Sequence, residues 1–393
     1  MKKRLVFSLV MFVCVTTTKV EASRLEPHEI YARGAVIMDM DSGRVLWEKN
    51  GRETLSMAST TKIMTAIIAL ENSDLSETVT VSSRASIAPK VKMYLTKGEK
   101  ISLEGLLYAL MLQSSNDAAV AVAEHVGGTV EDFCYMMSIK AKELGALDTS
   151  FETPNGLDSE NHFSTAYDLA IITRYALKNE KFVKIINTGY YSVTSDKRNY
   201  DIRNKNRFLN EYDGAFGVKT GFTGEAGNCF VGACERDGMK IITVVLASGW
   251  GDLGKEQKWI DTKKMMEYAF GNYKYQNLIH EGDKAGITTV SRSKTTEMPL
   301  YFSEEIDLPM TNEEKEKIEM VKNIPENIEA PIKAGEYVGN VKLFTGGDFL
   351  AETEVFASGN AERHDFETSL KKTLKYFLDI TTGHNSINHR LSK

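Results

Sequence analysis

Cysteine is scarce in this chain, with four in 393 residues. One of them, Cys14, lies inside an N-terminal apolar run, which leaves Cys134, Cys229 and Cys234. An odd count at wide spacing, with no CxxC, argues against both a disulfide framework and a zinc site. Cys229 and Cys234 are five apart on an expected strand, so they face opposite sides of it and should not bridge each other. Buried, inert thiols are the expectation. Charge of one sign is also lacking: 48 basic residues stand against 54 acidic ones, a net charge of -6. No segment carries a basic face interleaved with aromatics, which argues against a nucleic-acid partner.

Long apolar runs are confined to residues 5–15. Met1-Lys2-Lys3-Arg4 precedes that run and Val20-Glu21-Ala22 follows it, the pattern of a signal peptide cleaved after Ala22. A helix needs roughly 20 residues to span a bilayer, so this run is too short to serve as an anchor. Cys14 lies in the apolar core after a bulky valine, which argues against lipoprotein processing. Export without structural disulfides fits a bacterial cell envelope: the outer face of the cytoplasmic membrane, the periplasm or the wall.

A single core rarely grows past roughly 250–300 residues, so the length calls for more than one domain. Residues 35–40 and 44–48 flank Asp41-Ser42-Gly43 as a hairpin. Residues 62–70 are apolar almost all round, the mark of a helix in the middle of a core. Helical pattern runs through 103–126 with a break at 113–116, and returns at 130–144 and 165–179. Three strands follow, at 217–222, 228–235 and 239–248, and an amphipathic helix at 255–270. Strands at both ends with helices between them predict an α+β domain, one antiparallel sheet flanked by helices. From about residue 271, short alternating runs at 286–290, 300–302 and 339–344 predict a small all-β domain, with 313–322 as a solvated turn or short helix. At 365–380, Phe366, Leu370, Leu374, Phe377 and Leu378 fall on one helical face beside Lys371, Lys372 and Lys375. Such a basic amphipathic helix suits a membrane surface, or packing on the β domain or a partner. The expected division is a leader at 1–22, a catalytic domain at 23–272, a β-rich domain at 273–360 and an amphipathic tail at 361–393.

The chemistry gathers in three short segments. In SMASTTKIMTA, residues 56–66, Ser59 and Lys62 are at i and i+3 of a helical start and share a face. A serine hydroxyl is a weak nucleophile until a base takes its proton. A lysine walled by Ile63, Met64 and Ile67 is pushed toward its neutral, basic form. Taken alone, SxxK reads as a helix cap with a solvated lysine. Ser114-Ser115-Asn116 sits between two apolar runs, where such residues compete with the helix for backbone hydrogen bonds. Lys219-Thr220-Gly221 lies on the first late strand, where a glycine admits another backbone and the lysine and hydroxyl can hold a carboxylate. The ordered trio SxxK, SxN, KTG belongs to the penicillin-interacting serine enzymes.

On these residues the chain resembles the serine D-alanyl-D-alanine carboxypeptidases, the low-molecular-mass penicillin-binding proteins. The likeness extends to residues 35–50 (AVIMDMDSGRVLWEKN), to TPNGLD at 153–158 followed by His162 and STAYD at 164–168, and to KTGFTGEAGNCFVGA at 219–233. The chain departs from the family pattern at Met57, where proline is usual, at Ser115, where glycine is common, and at Phe222, where His or Tyr is frequent. The resemblance implies a transpeptidase-like domain followed by a β domain and an amphipathic helix. It also implies an acyl-enzyme on Ser59 with release of the terminal D-alanine of peptidoglycan stem peptides, covalent inhibition by β-lactams, and a part in cell-wall biogenesis and cell shape. Lys62 is then the base, and Ser114 relays protons with Lys62 and Lys219. Asn116 holds substrate amides, Lys219 and Thr220 receive the terminal carboxylate beside Gly221, and the N–H groups of Ser59 and Phe222 form the oxyanion hole. Lys205 is the further cation for the carboxylate, with Arg203 and Arg207 as rivals.

The alternatives are a serine β-lactamase, a non-catalytic wall-binding protein and, chemically adjacent, an endopeptidase cutting peptide cross-links. Between Asn116 and Lys219, Glu124, Glu131, Glu143, Glu152 and Glu160 each lack an asparagine four residues later. The ExxxN arrangement that would activate a deacylating water in such β-lactamases is therefore missing. His162 reads as a structural hydrogen-bonding residue. Neither a metal constellation nor a phosphate loop is visible, and no cofactor is expected.

Overall fold

The computed structural model of the protein describes residues 25–89, 91–364 and 366–381. The expected leader, Cys14 included, lies outside them. A five-stranded antiparallel sheet organises the first part of the chain. It comprises β1 (Gly34–Asp39), β2 (Val45–Lys49), β3 (Ala215–Thr223), β4 (Gly227–Arg236) and β5 (Met239–Leu246), in the spatial order β2-β1-β5-β4-β3. The β1–β2 turn forms because Gly43, at φ +78°, takes a left-handed conformation while Asp39 Oδ2 accepts from the Ser42 N–H at 2.7 Å.

Successive residues on these strands point to opposite faces, and both faces are covered. Val36, Cys229, Val231 and Val244 pack among helices on one side, whereas Ala35, Phe230, Cys234 and Val245 pack beneath the long helix Gly251–Asn272 on the other. Cys229 and Cys234 thus lie in different layers, and Cys134 is buried elsewhere; all three are free thiols. Burial also raises their pKa values, each to about 12.

The helix α1 (Lys62–Asn72) runs through the middle of the first layer, with every residue from Lys62 to Ala69 buried. The break expected near residue 114 is real. The segment Ala109–Gln113 widens to a π-type turn, Ser114 adopts φ +67°, and α2 (Asn116–Gly127) starts afresh. The helix Glu180–Asn187 and the hairpin of Tyr190–Thr194 with Asn199–Arg203 are additional to the elements expected from the sequence.

A six-stranded sheet forms the later part, built around Leu300, Val341, Leu343 and Val355. The segment 313–322 corrects expectation in its second half. A short helix, Asn312–Glu316, is followed by the edge strand Ile318–Asn323, paired to Tyr337–Thr345. That strand is almost wholly exposed, so it shows no alternating burial from which a sequence could reveal it. The helix Phe366–Thr381 is present, with Leu370, Leu374, Phe377 and Leu378 exposed on it. No helix among the described residues is long and apolar enough to cross a membrane.

Candidate active site

Ser59 sits in a single 3-10 turn, Ala58–Thr61, that leads directly into α1. Hydroxyl back-bonding shapes this turn: Thr60 Oγ1 donates to Met57 O at 2.6 Å and Thr61 Oγ1 to Ala58 O at 2.8 Å. Three residues per turn set Ser59 and Lys62 one above the other. Lys62 Nζ lies 2.8 Å from Ser59 Oγ. The amine also donates to Asn116 Oδ1 at 2.9 Å and to the carbonyl of Asn155. Lys62 has no exposed surface. Burial, assisted by the nearby charge of Lys219, pushes its amine well below its ordinary pKa, and Asp117 only partly offsets this. A neutral amine has two N–H bonds and one lone pair. Asn116 Oδ1 and Asn155 O accept from the amine, and a neutral amine so held would keep its lone pair toward Ser59 Oγ, whose hydroxyl also lies 3.3 Å from Asn155 O.

Gly221 brings β3 against Ser59. A side-chain carbon there would lie 3.0 Å from Ser59 N and 3.2 Å from Met57 O. On the same strand Lys219 is 2 % exposed, donates to Thr220 O at 3.1 Å, and is pushed down to about 7 by burial and the charge of Lys205. An open cleft of about 340 Å³ runs past this junction, lined by Ser59, Ser114, Lys205, Thr220, Gly221 and Phe222 among others. A larger recess of about 700 Å³ near Met40, Phe216 and Glu235 gathers none of the three motifs.

The structure therefore brings Ser59, Lys62, Ser114, Asn116, Thr220, Gly221, Phe222 and Lys205 to one place, with Lys219 buried beside them. Asn116 is itself buried and serves Lys62 directly, while its backbone N–H donates to Val91 O at 2.7 Å. Ser115 is buried, and its hydroxyl has no hydrogen-bond partner among the described residues. The rival cations of the 203–207 loop separate clearly. Arg207 is bonded to Glu256 and Glu211, and Arg203 lies over the Tyr190 ring, whereas Lys205 faces the cleft.

Three contributors were missed by the sequence. Asn155 contributes through its main-chain oxygen. Gly156, at φ +82°, presses on the Ala58–Ser59 peptide, where a side-chain carbon would fall 1.9 Å from Ala58 O. Lys258 joins the cleft wall with its amine on Asn228 Oδ1 at 3.1 Å, and burial lowers it to about 8. A lysine on the buried stripe of helix Gly251–Asn272, among Trp259, Thr262 and Met265, was the one available signal for it.

The chain is similar to known proteins both in sequence and in fold. The family model for D-alanyl-D-alanine carboxypeptidase matches residues 18–249, and that for the penicillin-binding protein 5 C-terminal domain matches residues 273–363. The D-alanyl-D-alanine carboxypeptidase DacF of Bacillus subtilis is 33% identical over 386 residues, covering 95% of this chain and 98% of its own. Among solved structures, penicillin-binding protein 5 of Haemophilus influenzae superposes with a TM-score of 0.73 at 25% identity, over 86% of this chain and 100% of that one. The carboxypeptidase DacD of Francisella tularensis gives 0.70 at 26% identity, over 90% and 99%. The chain belongs to the D-alanyl-D-alanine carboxypeptidase family, the serine penicillin-binding proteins, and is an enzyme of that class.

Proposed function

We propose that Ser59 Oγ attacks the carbonyl of the penultimate D-alanine in a peptidoglycan stem peptide, with Lys62 as the base. The observation that carries this reading is the 2.8 Å approach of a fully buried amine to that hydroxyl. The serine proton passes to the Lys62 lone pair as the C–O bond forms. The tetrahedral oxyanion is held by the N–H groups of Ser59 and Phe222, in a position where one donor is worth about 10²–10³ in rate. Collapse breaks the peptide bond, and the departing amine receives the proton through Lys62 and Ser114. Water then repeats the sequence on the acyl-enzyme. Asn116 keeps Lys62 aligned and meets substrate amide groups. Lys219, Thr220 and Lys205 receive the terminal carboxylate, Lys205 being the cation of its loop that lines the cleft. A β-lactam offers the same electrophile, but its leaving amine stays tethered, so the adduct persists.

The protein acts outside the cytoplasm after removal of residues 1–22. The catalytic domain ends near residue 272, the β-rich domain spans 273–360, and the exposed apolar positions of helix Phe366–Thr381 touch the membrane surface. The test is release of D-alanine from a diacetylated L-Lys-D-Ala-D-Ala peptide. Wild type should release it and Ser59→Ala should not; equal release from both would end the proposal.

A further inference from the structure

His162 takes no part in the chemistry above, yet it is 2 % exposed and both ring nitrogens are engaged. Nδ1 accepts from the backbone N–H of Glu152 at 3.1 Å and of Thr153 at 3.4 Å. A nitrogen facing two N–H donors must present its lone pair, so the proton sits on Nε2. Nε2 lies 2.9 Å from Thr61 Oγ1, so its N–H donates to that oxygen, and the Thr61 O–H in turn donates to Ala58 O at 2.8 Å. Ala58 O and the Ser59 N–H belong to one amide. A hydrogen bond on the oxygen polarises that amide, strengthens the N–H as a donor and fixes where it points.

The same peptide requires such support. Ala58 has φ +49°, a left-handed conformation unusual for a residue with a side chain. Gly156 packs closely against the amide, with its missing side-chain position 2.9 Å from Ser59 N. The loop that carries Gly156, and the Asn155 carbonyl bonded to Lys62, begins at the two N–H groups that His162 holds. The ring lines a separate recess with Ser56, Phe163 and Ala226 rather than the Ser59 cleft.

We propose that His162 and Thr61 form a positioning relay that holds and polarises the Ala58–Ser59 amide, so that its N–H stabilises the oxyanion. This rests on the acyl-enzyme reading of Ser59. His162 and Thr61 act through another group and are positioning residues. Weakening the relay lowers transition-state stabilisation without altering ground-state binding.

The test separates acylation by benzylpenicillin into its non-covalent binding constant and its chemical rate, and measures affinity for a peptide boronic acid, whose tetrahedral adduct carries an oxygen in the same hole. In Thr61→Val the chemical rate should fall roughly tenfold, a part of the roughly 10²–10³ that loss of a whole donor costs. Non-covalent binding should stay within about twofold, boronate affinity should fall with the rate, and Thr61→Ser should restore both. His162→Gln, which offers one donor and one acceptor, should lie between them. A folded Thr61→Val that acylates at the wild-type rate overturns the relay. Should that variant not fold, the ¹⁵N shifts of the His162 ring in wild type decide: a proton on Nε2 is required, and one on Nδ1 overturns the relay. A wild-type protein that takes up no penicillin at Ser59 refutes the acyl-enzyme reading and the relay with it.

Discussion

Gly156→Ala offers the sharpest structural perturbation of the site. At φ +82° an alanine costs roughly 1–2 kcal/mol in backbone strain alone. The added carbon would also fall 1.9 Å from Ala58 O, where ordinary contacts stop near 3.0 Å, so one backbone must move by about 1 Å. The backbone that moves carries either Ser59 or the Asn155 carbonyl on Lys62. A misplacement of about 1 Å at reacting groups costs roughly 10²-fold in rate. Gly145→Ala is the control, because Gly145 has φ +86° and nothing within 4 Å of the new carbon. Both variants should lose a few degrees of melting temperature, about 2–4 °C per kcal/mol for a sizeable domain. Only Gly156→Ala should lose about 10²-fold in the rate of labelling by a fluorescent penicillin. Gly156→Ala labelling within about threefold of wild type would show that the loop does not hold the nucleophile.

Burial of Lys219 has a signature in stability. Its folded pKa of about 7 lies below the ordinary 10.5, so between these values the unfolded chain binds a proton that the folded one does not. Stability should therefore rise with pH across roughly 7–10.5, relieving a cost on the order of a few kcal/mol at neutral pH. Lys219→Met should flatten that rise in denaturant midpoints, and an unchanged pH slope would contradict the burial argument. Lys205→Ala should raise KM for the D-Ala-D-Ala peptide about 10- to 100-fold, as loss of a charged hydrogen bond does, with kcat changed far less. Arg207→Ala should change KM little, since Glu256 and Glu211 already hold that guanidinium; the reverse pattern would assign the carboxylate to Arg207.

The parts of this site that were legible in the sequence are those where a residue type at a spacing has one physical use. TTKIMTAIIA announced a helix inside a core, and Lys62 at its start has no exposed surface. The polar interruption at Ser114-Ser115-Asn116 announced a helix break, and a left-handed Ser114 makes it. The strands β1, β4 and β5 could be read because they are buried on both faces and so nearly continuously apolar, and the short turns at 41–43 and 236–238 make their connections antiparallel.

What could not be read depends on the main chain or on distant pairing. Every residue has a carbonyl, so nothing in the letters of Asn155 says that its oxygen meets Lys62. His162 and Thr61 are 101 positions apart, and only the fold makes them neighbours. The hairpin from Tyr190 to Arg203 alternates, with Tyr200 and Ile202 buried between exposed polar residues, but its two strands are only five residues each, too short a stretch of alternation to stand out in the sequence.

The central claim is that one hydroxyl, activated by one buried amine, forms a covalent bond with substrate. Incubation of the leaderless protein with a fluorescent penicillin, followed by proteolysis and mass mapping, tests it most directly. The adduct should lie on the peptide containing Ser59 and be absent from Ser59→Ala and Lys62→Met. Label on another residue, or undiminished label in Lys62→Met, would contradict it.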